Sequence, residues 1–324
     1  MNILVTGAAG FIGFHLCKAL VSYKKIQLIG IDNLSPYYDV TLKKDRLKIL
    51  KSLSKKNFKF IKCDISNKNS LNKIIENNQI KIIYNLAAQA GVRESIKDTS
   101  NYFATNILGF YNILEACKKY KIKHLIFAST SSVYGDNKKF PLKEENETNK
   151  PLSFYAASKK TNEVLAYSYS HIHKLHITGL RFFTVYGEYG RPDMAIYKFI
   201  DGINKNKKIN LYNYGNHYRD FTYIDDVINS LVKLKTKKAD KNELYNIYNI
   251  ANGKTVSLKK LLSIIYSQIK IKPKINFLKM QKGDVYKTHA SIEKINKKIN
   301  YKPKTSIYIG IKNYINWYKN YYLK

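Results

Sequence analysis

Tyr155 and Lys159 stand four residues apart in Pro151-Leu152-Ser153-Phe154-Tyr155-Ala156-Ala157-Ser158-Lys159. On a helix this spacing puts both side chains on one face. A cationic Lys beside a phenol lowers its pKa, as does the positive charge of an oxidised nicotinamide, so a phenolate at Tyr155 is a candidate general base near neutral pH. In a chain with 28 Tyr and 57 cationic residues such a spacing also arises by chance. It gains weight from Phe127-Ala128-Ser129-Thr130-Ser131-Ser132-Val133-Tyr134-Gly135, an apolar run that ends in four consecutive hydroxyls. Hydroxyls in a row are poor core material and good ligands for a sugar.

A second group of residues has the pattern of a dinucleotide site. Gly7-Ala8-Ala9-Gly10-Phe11-Ile12-Gly13 follows an apolar strand and opens a helix. Small residues there let the backbone approach a pyrophosphate, and the helix N-terminus supplies N–H donors. The spacing is G-x-x-G-x-x-G, and a tight strand-to-helix turn would account for the glycines taken alone. Asp32, with Asn33 beside it, ends the second strand, where an acid accepts ribose hydroxyls and repels a 2′-phosphate. This favours NAD over NADP. Asp64 and Ile65 after the third strand suit the adenine edge, and Leu86-Ala87-Ala88-Gln89 after the fourth is small enough to lie along the cofactor.

The elements that position these residues are legible as alternating patterns. Apolar runs at Asn2 to Val5, Gln27 to Ile31, Phe58 to Cys63, Lys81 to Leu86, Lys123 to Ala128 and His176 to Phe182 are separated by helical stretches. Strands apolar throughout and spaced by helices predict a parallel sheet covered on both faces, the doubly wound α/β fold. Past Arg181 the elements shorten, with a helix near Ala195 to Ile203, another opened by Asp225 and Asp226, a strand at Tyr245 to Ile250, an amphipathic stretch capped by Ser257 and a last helix from about Ser306 to Tyr322. The expected division is a dinucleotide-binding domain over 1–180 and a smaller substrate lobe over 181–324, interleaved at the boundary.

With 324 residues, 44% of them hydrophobic, the chain can bury a substantial core, and no apolar run reaches the ~20 residues of a membrane span. The opening segment has no basic run ahead of its apolar residues, so a cytoplasmic location is expected. Three widely spaced Cys, at 17, 63 and 117, give neither a disulfide framework nor a metal site and read as buried hydrophobes. A net charge of +34 raises nucleic acid as a partner. The excess is nearly all Lys, spread along the chain, and clusters such as Lys205 to Lys208 and Lys233 to Lys241 read as solvated ends and loops. No specific nucleic-acid or membrane partner is expected. Only five cations are Arg (46, 93, 181, 191 and 219), and four of these fall in the motif segments, where a planar bidentate donor to phosphate or carboxylate is needed.

Taken together, these motifs resemble the extended short-chain dehydrogenase/reductases, and within them the NAD-dependent nucleotide-sugar epimerases, over essentially the whole chain. The blocks Asp32-Asn33-Leu34-Ser35-Pro36-Tyr37-Tyr38-Asp39, Leu180 to Gly187, Gly190-Arg191-Pro192-Asp193-Met194 and Tyr212-Asn213-Tyr214-Gly215 leading into Arg219 to Asp226 are most similar to UDP-glucuronate 4-epimerases. The resemblance implies inversion at C4 of a UDP-hexuronate through a transient 4-keto sugar, with tightly held NAD. It implies that Thr130 and Tyr155 hold the C4 hydroxyl and Lys159 the nicotinamide ribose. Sugar 4,6-dehydratases of this family carry Asp and Glu at the two positions after the Thr; here they are Ser131 and Ser132. Decarboxylating relatives place a Glu where Ser132 stands, and UDP-galactose 4-epimerases an Asn where Thr184 stands. Ser131, Ser132 and Thr184 are therefore the candidate donors to a C6 carboxylate. Arg219 and Arg191 are expected on the diphosphate and Arg93 on the substrate side, with Arg181 left to a structural role. Asp284 contacts the UDP ribose or caps a turn. The family also implies a homodimer that packs helices near Asn101 to Lys118 and Tyr155 to His171. UDP-glucose or UDP-N-acetylglucosamine as substrate, net NAD-dependent dehydrogenation and a non-catalytic regulator are the rival readings.

Overall fold

The apolar runs form one seven-stranded, all-parallel sheet in the order β10-β6-β5-β4-β1-β2-β3. Its strands are β1 (Asn2–Thr6), β2 (Gln27–Asp32), β3 (Phe58–Lys62), β4 (Ile82–Asn85), β5 (His124–Thr130), β6 (Ile177–Phe182) and β10 (Tyr245–Ile250). This is a computed structural model, and it describes residues 1–324 apart from 55, 238–242, 282 and 324. The helices of this part are α1 (Phe11–Leu20), α2 (Val40–Leu53), α3 (Lys68–Asn77), α4 (Glu94–Lys97), α5 (Thr99–Tyr102), α6 (Gly109–Lys119) and α7 (Phe154–His173), with a π-helical turn at Phe103–Leu108 leading into α6. They bury the sheet on both faces, which is why its strands carry no polar alternation.

Strand order reverses between β1 and β4, the two strands whose following loops carry the glycines and the Leu86 to Gln89 segment. In open α/β sheets ligands bind at such a crevice.

The remainder builds the substrate side from α8 (Ala195–Asn204), α9 (Ile224–Leu234), α10 (Leu258–Ile269), α11 (Glu293–Ile299), α12 (Ile307–Tyr322), a small sheet β11-β9-β7 and a strand pair β12-β8. Here β7 is Thr184–Tyr186, β8 Lys208–Tyr212, β9 Tyr218–Tyr223, β11 Thr255–Ser257 and β12 Lys274–Leu278. Although β10 lies past residue 181, it pairs with β6 and forms the far edge of the large sheet, and α9 packs on α1. Ser153, Ser257 and Ser306 each accept a backbone N–H in the first turn of α7, α10 and α12.

Element ends shift by one or two residues from the sequence pattern, and one shift matters. The fifth strand continues past Ala128 to Thr130, so Ser129 lies inside the sheet. A buried charge explains why a polar residue is tolerated there. Glu163 of α7 accepts Ser129 Oγ at 2.6 Å and both Nε and Nη2 of Arg181 at 2.9 Å. Arg181 Nη1 donates to the Glu144 carbonyl at 2.9 Å, and its guanidinium stacks 4.7 Å from the Tyr134 ring centre. This network ties β5, β6 and α7 at one level, so the catalytic face of α7 has a fixed height against the strand that carries Thr130.

Among the described residues no helix is long and apolar enough to cross a membrane, and no cluster of three His, Cys, Asp or Glu could hold a metal. Cys17, Cys63 and Cys117 are free thiols inside the core. Lys205 pairs with Asp201 at 2.6 Å, while residues 238–241 of the second Lys cluster lie outside the described residues. Replacing Arg181 by Met leaves the Glu163 carboxylate only the longer, partly exposed pair with Lys160 at 3.8 Å, and urea unfolding should register a loss of about 3 kcal/mol. Arg181→Met combined with Glu163→Gln should recover most of it; equal stability of Arg181→Met and the native chain would remove the network from its structural role.

Candidate active site

One cavity of about 1100 Å³ runs along the carboxyl ends of the strands into the substrate side. All the glycine-turn, acid, hydroxyl, Tyr155/Lys159 and arginine candidates from the sequence line it, except Arg181, which is buried in the network above.

At one end lies the glycine turn. Gly7 has φ +69°, and a Cβ on it would come within 2.8 Å of Ala87 N; a Cβ on Gly13 would overlap the Gly7 carbonyl oxygen. These glycines let β1, α1 and the loop after β4 meet closely. Gly10 is the N-cap of α1 and offers no side chain to its first amides, so the helix start presents free N–H groups to the cavity edge formed by Phe11 and Ile12. Asp32 accepts Ala9 N–H at 3.1 Å through one oxygen and Leu34 N–H at 2.8 Å through the other. Asn33 donates to Asp64 at 2.7 Å. Burial pushes the Asp64 pKa up, but hydrogen bonds from Asn33 and Ser66 outweigh it and hold the carboxyl below its usual range. The uncapped amides and the ordered acids fit a dinucleotide laid from pyrophosphate to adenosine.

At the centre, α7 presents Tyr155 and Lys159 one turn apart beneath Thr130 of β5. The Thr130 hydroxyl caps the 3-10 turn Ser131–Tyr134 by accepting Ser132 N–H at 3.2 Å, and its own hydroxyl reaches Ser132 Oγ at 3.2 Å. Asn106, in the π-helical turn, holds Gln89 through both its N–H and C=O and donates to Ser158 at 3.0 Å. This clamp sets the loop after β4 against α7.

At the far end Arg93 pairs with Asp284 at 3.1 Å and lies over the Tyr212 ring, with Arg219 alongside. Burial lowers the Arg219 pKa to about 10, and Asp284 only partly offsets this. Arg191 sits elsewhere. Its guanidinium grips Asp193 at 2.9 and 2.6 Å and donates to the Ala90 carbonyl at 2.9 Å.

The model of the NAD dependent epimerase/dehydratase family matches residues 3–251 of this chain. The chain belongs to that family. It is 38% identical to a probable UDP-glucuronate 4-epimerase from Rhizobium meliloti, over 99% of this chain and 98% of that protein. Among solved structures, UDP-glucuronic acid 4-epimerase from Bacillus cereus, in complex with UDP-glucuronic acid and NAD, superposes with a TM-score of 0.93 at 36% identity, covering 99% of this chain and 100% of that one. UDP-glucose 4-epimerase from Thermotoga maritima with UDP-glucose gives 0.88 at 28% identity, with 99% of each chain covered.

In this epimerase/dehydratase site the electrostatics differ from the sequence expectation in one respect. Burial raises the Tyr155 pKa, and the groups that pull it back are Thr130 and the charge of Arg191, not Lys159. Lys159 is itself only 2% exposed; burial lowers its pKa to about 8, against the opposing charge of Glu163. Ser129 departs too. Its hydroxyl is spent on Glu163, leaving Thr130, Ser131 and Ser132 as the open hydroxyls.

Glu163 and Asn106 escaped the sequence reading. The signal for Glu163 was present, since it continues the Tyr155–Lys159 stripe by one more helical turn. Asn106 had no local signal, because its partners lie 17 and 52 residues away. Because the Lys159 ammonium loses its proton near pH 8 rather than at the ordinary 10.5, turnover should decline as pH rises through about 8. A pH–rate profile flat up to 10.5 would mean that Lys159 stays charged or takes no part.

Proposed function

We propose that this chain is an NAD-dependent epimerase that inverts C4 of UDP-glucuronate to give UDP-galacturonate. The observation that carries the reading is a reacting centre of Thr130, Tyr155 and Lys159 bordered by Ser131, Ser132 and Thr184, with no acid beside the threonine. Elimination of water from the sugar would need an acid and a base where the two serines stand. Neutral hydroxyls instead donate to an anionic C6 carboxylate without repelling it.

NAD would be held by Gly7, Gly10, Phe11, Ile12, Gly13, Asp32, Asn33, Asp64, Ile65 and the Leu86 to Gln89 loop, and when bound would supply reversible hydride acceptance. Tyr155 takes the proton from the C4 hydroxyl, with Thr130 sharing that oxygen. Lys159 keeps a positive charge beneath the phenol and holds the nicotinamide ribose. The 4-keto sugar turns within the site while its UDP anchor stays in place, and Tyr155 gives the proton back on the opposite face. Atoms and electrons balance with no net redox change.

Arg219, Arg93 and Asp284 supply the anchor, two guanidiniums for the diphosphate and a carboxylate for ribose hydroxyls. Arg191, whose charge reaches Tyr155, serves the reacting end of the substrate. A 4-keto uronate is a β-keto acid prone to lose carbon dioxide. Ser131, Ser132 and Thr184 hold its carboxylate so that the breaking bond does not align with the carbonyl.

We also assign the chain to a cytoplasmic homodimer, without a specific nucleic-acid partner. Phe103, Leu108 and Tyr111 ahead of and within α6, and Val164, Tyr167 and Ile172 of α7, are 40–63% exposed on adjacent helices, an apolar face suited to a second copy.

Incubation with UDP-glucuronate and no added NAD, followed by NMR, should give a stable mixture with UDP-galacturonate and no build-up of NADH. Conversion of UDP-glucose or UDP-N-acetylglucosamine alone would overturn the carboxylate site and keep the chemistry. Tyr155→Phe should lose about 10²–10⁴-fold in kcat while retaining bound NAD. Ser132→Ala should weaken substrate binding or release a pentose by-product; a variant that showed no change in either would exclude Ser132 from the carboxylate site. By light scattering the chain should run as a dimer and Tyr167→Glu as a monomer.

A further inference from the structure

Behind the glycine turn lies a cation that the reading above does not use. Arg46 of α2 is completely buried. Its Nη1 donates to the Ala9 carbonyl and to Tyr38 Oη, both at 2.7 Å, and its Nη2 to the Tyr189 carbonyl at 2.5 Å, while Nε has no partner. All three acceptors are neutral. Among the described residues no carboxylate pairs with it within 4.0 Å; Asp32, the acid nearest in the network, lies across the Ala9 peptide, whose N–H it accepts. Lys43, one turn earlier on α2, adds a second cation 4.7 Å over the same Tyr38 ring. On α1, burial together with the charges of Lys18 and Arg46 drives the His15 pKa down to about 4, so that side chain is neutral near pH 7 and leaves the Arg46 charge uncompensated.

A buried guanidinium costs several kcal/mol in lost hydration, which neutral acceptors repay only in part. Three neutral hydrogen bonds do not require a charge. The charge has a use if its partner arrives with the ligand, and Ala9 is in the turn between Gly7 and Gly10 that lines the cavity.

We propose that Arg46 is a positioning residue of the dinucleotide site: it fixes the Ala9 peptide from behind and supplies the buried positive charge that the cofactor's pyrophosphate neutralises. It does not line the cavity itself. The inference rests on the dinucleotide reading of that cavity. It predicts selectivity for the pyrophosphate over the rest of the ligand, which simple packing of the turn would not produce.

The test is calorimetric titration of the NAD-depleted full chain with NAD, ADP and adenosine. Arg46→Gln keeps donors and removes the charge; it should weaken NAD and ADP by about tenfold or more and leave adenosine within about twofold. Arg46→Lys, which keeps the charge, should hold the native ratio of ADP to adenosine affinity, and it carries the comparison if Arg46→Gln fails to fold. Equal weakening of ADP and adenosine in either variant would reduce Arg46 to packing, and unchanged ADP affinity in Arg46→Gln would remove it from the site. If the native chain bound neither NAD nor ADP, the dinucleotide reading would fail before this one was reached.

Discussion

The buried pair of Glu163 and Arg181 is the constraint on which the reacting centre depends. A carboxylate and a guanidinium in the core are tolerable only when every polar atom is engaged. Glu163 takes both forks of Arg181 and the hydroxyl of Ser129, so it cannot relax without stranding a charge. Because the three residues lie on α7, β6 and β5, that requirement becomes a geometric one. It fixes the face of α7 bearing Tyr155 and Lys159 against the strand end bearing Thr130, and Glu163 supplies the charge that offsets the burial of Lys159.

A second constraint is the close approach of three segments at the glycine turn. Backbone of β1, the start of α1 and the loop after β4 come together where side chains would collide. That contact places the uncapped helix amides beside Asp32 and within the same cavity as the catalytic hydroxyls. The crevice between β1 and β4 is a consequence of strand order, and the substrate side closes over it through β7, β9 and the loop carrying Asp284.

Charge is distributed along this cavity according to task. The dinucleotide end pairs acids with helix amides, the far end gathers Arg93 and Arg219 about Asp284, and the middle is lined by hydroxyls. In a chain of net charge +34, the lysine of the reacting centre, Lys159, is buried and lowered to a pKa of about 8. Its five arginines are used where a planar fork or a permanent charge is needed, two of them, Arg46 and Arg181, entirely inside the protein.

Much of this was local information. The glycine spacing, the run of hydroxyls, the Tyr155–Lys159 interval, the serine caps and the apolar period of each strand depend on neighbours within a helical turn or a pleat, so they are legible in the sequence, and with them the doubly wound fold and the residues of the cavity. Three features depended on residues far apart in the chain. Ser129 was one of four equivalent hydroxyls until Glu163, 34 residues on, claimed it. The neighbours of the arginines were equally hidden: Arg93 meets Asp284, 191 residues away, beside Arg219, while Arg191 grips Asp193 and its charge reaches Tyr155. The helical spacing to Lys159 predicts a lowered Tyr155 pKa, but burial raises it and Thr130 and Arg191 only pull against that rise, because burial and through-space charge decide a pKa and neither is written in local spacing.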